Sequence, residues 1–560
     1  MAQPNRRIAP GSRGIRLGDR PVLSVVLFAR DPASLEAQLP ALARCCRARE
    51  VELVVVGPID AAAAQQYESQ WTGVRFVSAS PSADEAQLRR LGLITAQGDI
   101  VVFTDGERSV GEGWLDRLVQ GACGEDNTYG DDGAEPLVPG NRAAYPFVSV
   151  VVPAHQAATV FTACLEALEA SNLPRTKWEL VVVDDASTDD TELIAAEHAD
   201  TVVRLAGSPH GPAYARNRGA EVSRGDILVF VDADVVVHRD ALRRFADLFA
   251  ERPNLSAAFG SYDSHPRAAG LVSQYRNLLH HYVHHANPGP AETFWAGLGA
   301  VRRDVFLRVG GFDEWHYSRP QIEDIEFGRR LRRDGYQIWL EPTIQGTHLK
   351  RWTLASMLAT DFHNRGVPWM WILLQEGQSA GSHVLNLRQV HKLCTALIGV
   401  VFGALIVSLF GGRGPALACA GAGLTGIVFL NLAFYNFLRR RHGLWFAATA
   451  IPLHLSYYAV SFLSIGYGWI LHIMLGEPVP PAEKQALAQV GLKTWPPQLR
   501  QRRSTIWSTK PSSEGPEPRP RPDPKAALAH GRDVPPLRAN RSARRGAADM
   551  RSDDSLTNAN

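Results

Sequence analysis

Two stretches of the chain begin with the same pattern of apolar positions. The runs Leu23–Phe28 and Val148–Pro153 have the length and the β-branched content of buried strands. Each is followed by a helical pattern and then by a second apolar strand, Val51–Val56 in the first stretch and Glu179–Val183 in the second. Strands that alternate with helices predict an α/β fold, with a mostly parallel sheet covered by helices on both faces.

The resemblance between the two stretches continues further along the chain. The segments Gly98–Glu107 and Gly225–Asp234 both read Gly-Asp-Ile, then an apolar run, then two acidic residues two positions apart. We therefore predict two related α/β units, of which the first is shorter. Where the second unit has two aspartates after its second strand, the first has Gly57 and Pro58. We interpret the first unit as a degenerate copy, with a packing, dimerisation or partner-binding role as a hypothesis.

Three strongly apolar stretches lie late in the chain, at about Leu393–Phe410, Pro415–Phe437 and Leu444–Leu475. The first two have the length of a membrane-spanning helix, since roughly 20 apolar residues cross the hydrocarbon core. The third is longer and contains Pro452, which predicts a helix that is tilted, broken or partly interfacial. Basic residues precede the first stretch and separate the second from the third. The positive-inside rule then places everything before Leu393 on the cytoplasmic side of an inner membrane.

The two ends of the chain are polar and basic. We predict disorder there, and the N-terminus lacks the apolar run of a secretory signal peptide. The side of the membrane on which the C-terminal tail lies stays open. The predicted organisation is a disordered N-terminus at 1–20, the degenerate unit at 21–125, a linker at 126–145, a catalytic α/β domain at 146–352, an interfacial helix region at 353–390, transmembrane helices at 391–476 and a disordered Pro-rich tail at 477–560.

Composition narrows the classes of partner. A formal net charge of +2 over 560 residues gives no electrostatic argument for nucleic acid, and none is expected as a partner. The six cysteines contain no C-x-x-C pair, which is typical neither of a disulfide framework nor of a zinc module. The oligomeric state is open.

Carboxylates follow two neighbouring strands of the second unit. Asp184 and Asp185 end one strand, and Asp232 and Asp234 end the other. Ligands of open α/β sheets bind beyond the carboxyl ends of the strands, and residues two apart there point to the same side. Asp232 and Asp234 can therefore converge on a hard cation, Mg²⁺ or Mn²⁺, that stabilises charge growing on a diphosphate. The alternative is a set of turn-forming aspartates.

The run Val148–Pro153, the turn Val183–Asp189 and the motif Val231–Asp234 together resemble family 2 glycosyltransferases with the GT-A fold. The resemblance implies a nucleotide-diphosphate sugar as donor. The residues that it places at the donor are Pro153 and Asp185 against the base and ribose, Asp184 close by, Arg216 on a helix facing the donor, Asp232 at the nucleotide or sugar, and Asp234 on the metal.

Three later motifs resemble the acceptor half of the same family. They are Phe294–Gly297, Gly310–Glu314 and Glu323–Asp324. An acceptor hydroxyl attacks poorly unless a positioned carboxylate removes its proton, and Asp324, with Glu323 beside it, is the candidate base. Asp324 is also interpretable as an acid at a helix N-terminus, and the two roles are compatible. The resemblance assigns Trp295 and Gly311 to acceptor binding.

The segment His348–Trp352 is similar to the Q-x-x-R-W motif of processive members, with His in the first place. The similarity implies that Arg351 faces the diphosphate and that Trp352 stacks on the acceptor sugar. Alternatively, both residues anchor the following amphipathic segment at the bilayer surface.

A group of histidines at 280, 281, 284 and 285 has helical spacing. It is compatible with a zinc site, but lining of an acceptor groove or a solvated helix face is the preferred interpretation.

These patterns predict an inverting, metal-dependent glycosyltransferase that acts on a hydroxyl of a lipid-linked or cell-envelope glycan. Three alternatives stay open. The chain could be a processive polysaccharide synthase, a polyprenyl-phosphate glycosyltransferase, or a membrane scaffold without activity. The membrane region is short, so few helices are available to line a polymer channel. This favours single or limited transfer over processive extension.

Overall fold

The computed structural model describes residues 16–17, 20–21, 23–28, 32–48, 51–59, 61–71, 73–104, 115, 145–376 and 389–475. Most of the predicted linker, the C-terminal tail and the acidic pair Asp105 and Glu107 of the first unit lie outside these residues. Within the predicted disordered N-terminus the structure differs from the prediction, because Arg16–Leu17 pairs with Arg20–Pro21 as two short antiparallel strands.

Up to residue 348 the described part of the chain contains both strands and helices. After residue 348 its regular elements are all helices. The strands are β1 Arg16–Leu17, β2 Arg20–Pro21, β3 Leu23–Phe28, β4 Glu52–Gly57, β5 Val74–Ser78, β6 Ile100–Thr104, β7 Val148–Ala154, β8 Trp178–Asp185, β9 Thr201–Leu205, β10 Ile227–Val231, β11 Val235–Val237, β12 Ala257–Tyr262, β13 Gly289–Ala291, β14 Leu298–Arg302 and β15 Ile338–His348. The helices are α1 Pro32–Ala48, α2 Ala61–Gln70, α3 Glu85–Thr95, α4 Ala158–Glu169, α5 Thr191–His198, α6 Pro212–Val222, α7 Ala241–Glu251, α8 Leu271–His285, α9 Arg303–Val309, α10 Glu323–Arg333, α11 Leu354–Ala359, α12 Val367–Glu376, α13 Gln389–Phe410, α14 Arg413–Leu430 and α15 Leu432–Leu475. A π-helix, Thr360–Gly366, joins α11 to α12.

Among the described residues, one sheet of thirteen strands contains both predicted units. Its order is β11-β15-β12-β14-β10-β7-β8-β9-β6-β3-β4-β5, and β13 pairs with β15. Every residue of β8 and β10 is buried, as expected for strands covered by helices on both faces. The predicted α/β class and the mostly parallel sheet are confirmed.

The two units meet edge to edge and run in opposite directions. β6 pairs with β9 antiparallel, with Ile100 opposite Val203, whereas β3, β4 and β5 run parallel to β6, and β7, β8 and β10 run parallel to β9. The guanidinium of Arg204 on β9 reinforces the junction by donating to the carbonyls of Leu93 (2.6 Å) and Ala96 (3.2 Å). The strand ends of the first unit, including Gly57, therefore lie at the edge of the sheet opposite to Asp184 and Asp185.

The resemblance between the units extends to a hydrogen-bond network at the start of each central strand. In the second unit Ser149 donates to Glu179 (2.5 Å) and accepts from the backbone N–H of Gly225 (2.7 Å). In the first unit Ser24 donates to Glu52 (2.5 Å) and accepts from the N–H of Gly98 (2.8 Å). The shared network supports the prediction that the first unit is a related copy.

Among the described residues after the sheet, three helices are long and apolar enough to cross a membrane, α13, α14 and α15. Phe410 and Trp445 on them are 87% and 84% exposed, as side chains that face lipid would be. The second apolar stretch is interrupted near Asn431, where α14 ends, and α15 breaks at Gly443, which has φ +85°. Pro452 lies within α15 without ending it, and the break at Gly443 comes before the third stretch, so Leu444–Leu475 is one continuous helix.

The apolar helices pack directly against the α/β domain. Phe434 and Tyr435 of α15 are buried against Tyr275 on α8 and Trp352. A buried ion pair also links α8 to the π-helix, because Arg276 donates to both carboxylate oxygens of Asp361 (3.0 and 2.5 Å). The described helices after residue 353 are therefore joined to the sheet domain through α8.

The close approach at Gly225 generates a test of the fold. A methyl group on Gly225 would lie 2.5 Å from the backbone nitrogen of Ser149. We expect Gly225→Ala to lower the free energy of unfolding by about 1–3 kcal/mol, because the strand must shift to relieve the clash. The measurement is thermal and denaturant unfolding of the purified chain in detergent.

Gly421→Ala is the matched control, since no atom other than those of the adjoining helix backbone lies within 4 Å of a methyl group placed there. It should leave the unfolding midpoint unchanged or raise it slightly, because Ala favours a helix over Gly. Equal midpoints for the Gly225 variant and the wild type would contradict the described packing.

Candidate active site

A cavity of about 820 Å³ opens beyond the carboxyl ends of β7 and β8. Most of the residues predicted from the sequence line it, although they come from separate strands, loops and helices. Those that line it are Pro153, Asp185, Arg216, Asp232, Asp234, Trp295, Glu323, Asp324 and Trp352. The fold therefore brings the two halves of the predicted site into one cleft.

Arg216 on α6 connects the donor half of the cleft to the acceptor half. Its Nη2 donates to Asp232 Oδ1 (2.7 Å), and its Nη1 donates to Glu323 Oε1 (2.9 Å). Arg216 is 4% exposed, as is Glu323, so both charges are paired away from bulk water. Glu323 also accepts from the backbone N–H of Gln321 (2.9 Å). Glu323 is therefore held as the partner of Arg216.

Asp234 faces a histidine that the sequence prediction did not use as a site residue. His348 Nε2, at the end of β15, lies 3.4 Å from Asp234 Oδ2. The other ring nitrogen, Nδ1, lies 2.8 Å from Asn277 Oδ1, and because an amide oxygen only accepts, Nδ1 carries a proton. In the neutral imidazole the lone pair is then on Nε2, facing Asp234. The sequence feature that could have indicated this role of His348 is its position in place of the Gln of the Q-x-x-R-W motif.

The pair Asp234 and His348 fits a divalent cation. A carboxylate oxygen and an imidazole nitrogen lie side by side, and the hydrogen bond from Nδ1 to Asn277 is the support that metal-ligating histidines usually have. With no cation bound, burial raises the pKa of Asp234, but the hydrogen bond and charge of a protonated His348, followed by the charge of Lys350, outweigh it and keep this pKa below its usual value. Within the described residues, no group of three His, Cys, Asp or Glu side chains is already gathered as a metal site. Asp232 instead pairs with Arg216.

The two aspartates at the end of β8 differ in their surroundings. The carboxylate of Asp185 lines the cavity and accepts from the backbone N–H groups of His210 (2.7 Å) and Gly211 (2.7 Å), which fixes the loop before α6. Asp184 is buried behind it and does not line the cavity. Burial raises the pKa of Asp184 to about 6.

Asp324 lies in the first turn of α10 and faces the cavity. Its carboxylate accepts from the backbone N–H groups of Ala296 (3.2 Å) and Ile325 (2.8 Å), which orient it. Burial, together with the charge of Glu323, raises the pKa of Asp324 to about 7. A carboxyl group with such a pKa exchanges a proton readily near neutral pH, as a general base must.

Besides Asp184, two residues predicted at the site do not line the cavity. Gly311 has φ +64°, and a methyl group on it would lie 2.7 Å from Asn217 Oδ1, so this glycine serves the turn that docks on α6. Arg351 is exposed, because the chain leaves β15 after His348 and turns this side chain outwards. Lys350 lines the cavity instead, with Nζ 4.5 Å from the ring centre of Trp352.

An aromatic wall borders Asp324 and His348. Tyr262 stacks on His348 (centroids 4.4 Å apart) and meets the edge of Trp295 at 4.8 Å. Trp295 is partly exposed to the cavity and offers a flat apolar face of the kind that packs on sugar rings.

Three of the four histidines of α8, namely His281, His284 and His285, contact backbone carbonyl oxygens through Nδ1. His281 Nδ1 contacts the carbonyl oxygen of Tyr262 (2.9 Å), and His284 Nδ1 contacts that of Gly260 (3.0 Å). Burial lowers the pKa of His281 to about 4 and that of His284 to about 3, so both rings are neutral at physiological pH. His280 and His284 line the cavity, in line with the groove interpretation.

The sequence profile of the family described as Glycosyl transferase family 2 matches residues 149–310. Glycosyltransferase AglE of Haloferax volcanii is 26% identical over 41% of this chain and 75% of its own length. The O-antigen chain rhamnosyltransferase WbaN of Salmonella anatum is 27% identical over 34% of this chain, which spans 63% of that relative.

Among solved structures, the mannosyltransferase PcManGT from Pyrobaculum calidifontis, in complex with GDP-Man and Mn²⁺, is similar to 57% of this chain and 88% of its own. The sequence identity is 22% and the TM-score is 0.37. The profile match covers β7 to α9, the strands and helices that carry Arg216, Asp232 and Asp234. With the relatives named by sequence similarity, it identifies the chain as a glycosyltransferase with a family 2 domain at residues 149–310.

Proposed function

We propose that the chain is an inverting, divalent-metal-dependent glycosyltransferase of the inner membrane. It takes the sugar from a nucleotide-diphosphate donor and transfers it to a lipid-linked or cell-envelope glycan. The observation that carries the proposal is the convergence of Asp232, Asp234, Arg216 and Asp324 on one cavity beside His348.

The donor end of the cavity is the part lined by Pro153, Asp185 and Arg216. In the proposal Pro153 and Asp185 hold the base and ribose, and Asp184 supports them from behind. Arg216 is a fixed cation between Asp232 and Glu323, and its planar guanidinium suits the oxygens of a diphosphate. Its buried position keeps the charge strong, because little water screens it.

Asp234 and His348 would hold Mg²⁺ or Mn²⁺, with Asp232 next to them. The cation would stabilise the negative charge that develops on the leaving diphosphate. Donor diphosphate oxygens commonly complete the coordination of such ions, so a protein that supplies few ligands is sufficient. Asn277 orients His348 through Nδ1.

Asp324 removes the proton from the acceptor hydroxyl as the new bond to the anomeric carbon forms and the bond to the diphosphate breaks. A single displacement of this kind inverts the anomeric carbon. Trp295 and Trp352 flank the same cavity and offer aromatic faces to the acceptor. The backbone N–H groups of Ala296 and Ile325 hold the carboxylate of Asp324 in a fixed orientation.

The location and the acceptor class rest on separate features. The three apolar helices, and the basic residues Arg439–Arg441 that lie within α15 just before its break at Gly443, support a multi-pass protein with a cytoplasmic catalytic domain. The O-antigen activity in the name of WbaN supports a glycan of the cell envelope. A processive synthase is less favoured, because Arg351 is exposed outside the cavity.

The metal proposal predicts different effects for Asp234 and Asn277. Asp234→Asn should lower the transfer rate by about 100-fold or more, because a ligand of the catalytic cation is lost. Asn277→Ala should retain activity at saturating metal but need roughly 10–100-fold more Mn²⁺, because His348 is no longer oriented. The measurement is the initial rate as a function of Mn²⁺ or Mg²⁺ concentration.

Asp304→Asn is the control, since Asp304 is exposed and pairs with Arg308 on α9. Its metal dependence should match the wild type. Full activity of the Asp234 variant, or wild-type activity after complete chelation of divalent ions, would remove the metal from the mechanism.

The base assignment predicts a pH dependence. The pKa of Asp324 is raised to about 7, so its carboxyl group becomes protonated as the pH falls below about 7, and the rate should fall with it. Asp324→Asn should lower kcat by about 10²–10⁴-fold and remove this acidic limb. The measurement is kcat against pH for both proteins, with Asp334→Asn at the other end of α10 as control.

An Asp324→Asn variant with wild-type rate and pH profile would refute the base role. It would favour an acceptor that is already anionic, such as a lipid phosphate. An inactive scaffold is excluded if the wild type transfers sugar at all.

A further inference from the structure

Tyr262 ends β12 at the edge of the sheet where the cavity opens. β10 and β12 both pair antiparallel with β14, so these two strands run in the same direction. Strands that run in the same direction end at one edge of a sheet, where ligands bind. Tyr262 is therefore at the same edge as Asp232, which follows β10, and it lines the cavity.

The ring of Tyr262 is packed on several sides. The ring of His348 stacks on it, with centroids 4.4 Å apart and planes 11° apart. Trp295 meets it edge-on at 4.8 Å, and His280 packs against it at 4.5 Å. Because these contacts fix the ring, the position of its hydroxyl group is set before a substrate enters.

The hydroxyl group of Tyr262 has no hydrogen-bond partner in the part of the chain that the structure describes. The side-chain hydrogen bonds that Tyr262 receives there end on its backbone carbonyl oxygen, from Ser261 Oγ (3.0 Å) and His281 Nδ1 (2.9 Å). Tyr262 is only 8% exposed, and hydroxyl groups of buried residues normally have a partner. The O–H is therefore available to a molecule in the cavity.

Three carboxylates act on this hydroxyl group. Burial, followed by the charges of Asp234 and Asp232 and then of Asp324, raises the pKa of Tyr262. The hydroxyl group is thus within electrostatic range of the proposed cation ligand and of the proposed base. It is a neutral O–H donor at physiological pH, as a phenol ordinarily is.

Ring contacts lead from the cation site to the base through Tyr262. His348 Nε2 lies 3.4 Å from Asp234 Oδ2, and its ring stacks on Tyr262. On another side Tyr262 contacts Trp295, and the backbone N–H of the residue after Trp295 donates to Asp324 (3.2 Å). Tyr262 therefore occupies the wall between the two ends of the proposed reaction.

The transferred sugar must lie between the same two ends. Its anomeric carbon is bonded to the diphosphate, which the proposed cation holds at Asp234, and is attacked by the acceptor hydroxyl that Asp324 activates. The sugar ring is therefore the part of the substrates that passes in front of Tyr262.

We propose that Tyr262 is a further catalytic residue, whose hydroxyl group donates a hydrogen bond to a hydroxyl oxygen of the sugar being transferred. A neutral O–H suits a sugar hydroxyl, which accepts as well as donates. The contact holds the anomeric carbon in line with the acceptor, which increases kcat through orientation. This inference rests on the proposed function, since it takes Asp234 and Asp324 as the two ends of the reaction.

Tyr262→Phe tests the proposal, because it removes the hydroxyl group and keeps the ring contacts. The rate of sugar release at saturating donor is measured with Mn²⁺, using whichever of UDP-glucose, UDP-N-acetylglucosamine and GDP-mannose the wild type consumes fastest. We expect kcat to fall about tenfold, as for the loss of one hydrogen bond, with unchanged affinity for the matching nucleoside diphosphate. Wild-type kcat in Tyr262→Phe would show a role of the ring alone and overturn the proposal.

Tyr275→Phe is the matched control for the loss of a phenol hydroxyl. Tyr275 on α8 is fully buried and does not line the cavity, and its hydroxyl group has no partner among the described residues. Its kcat should match the wild type. An equal loss of kcat in the two variants would count against a specific contact at Tyr262.

Donors that lack one sugar hydroxyl identify the contact. At the contacted position, the deoxy donor should react about tenfold more slowly with the wild type, and Tyr262→Phe should slow it no further, because the hydrogen bond is already lost. Losses that simply multiply for the deoxy donor at every position of the sugar would show that Tyr262 does not touch it.

The wild-type measurement separates this inference from the proposed function. A wild type that releases sugar from none of the three donors would count against the proposed function, and the inference would fall with it. A wild type that releases sugar at the same rate as Tyr262→Phe would refute only the role of Tyr262.

Discussion

The buried guanidinium of Arg216 is the interaction on which the cleft depends. It binds Asp232 at the end of β10 and Glu323 at the start of α10. These two residues are 91 positions apart in the sequence, and Arg216 holds both of them against α6. A buried cation with two carboxylates is costly to desolvate and strongly destabilising to break. The positions of Asp324 and of the donor end are therefore set together.

The sequence was sufficient to predict the fold class, because the buried strands are continuous apolar runs and alternate with helices. It also predicted that Asp185, Asp232 and Asp234 would share a cleft, since strand ends of a parallel sheet meet at one edge. Asp324 was added to that cleft by the resemblance to the family. It could not predict the partner of each carboxylate. Whether Asp232 pairs with Arg216 or stands free depends on side-chain packing across three elements.

The prediction from sequence was wrong or incomplete where one local pattern was compatible with two arrangements of side chains. The similarity to Q-x-x-R-W favoured Arg351, but the chain direction after β15 exposes it and leaves Lys350 and His348 at the cavity. The role of His348 depends on Asn277, 71 residues away, which no local spacing reveals. Gly311 looked like an acceptor contact, whereas its positive φ and the side chain of Asn217 explain it.

Because β6 pairs with β9 antiparallel, the strands of the two units end at opposite edges of the sheet. Because the strand ends of the first copy emerge at the far edge of the sheet, substitutions there do not change the reaction centre. The first unit therefore contributes strands to the common sheet, while Gly57 lies away from the cavity. Its Ser24 and Glu52 contact bears on folding and not on the chemistry of the cleft.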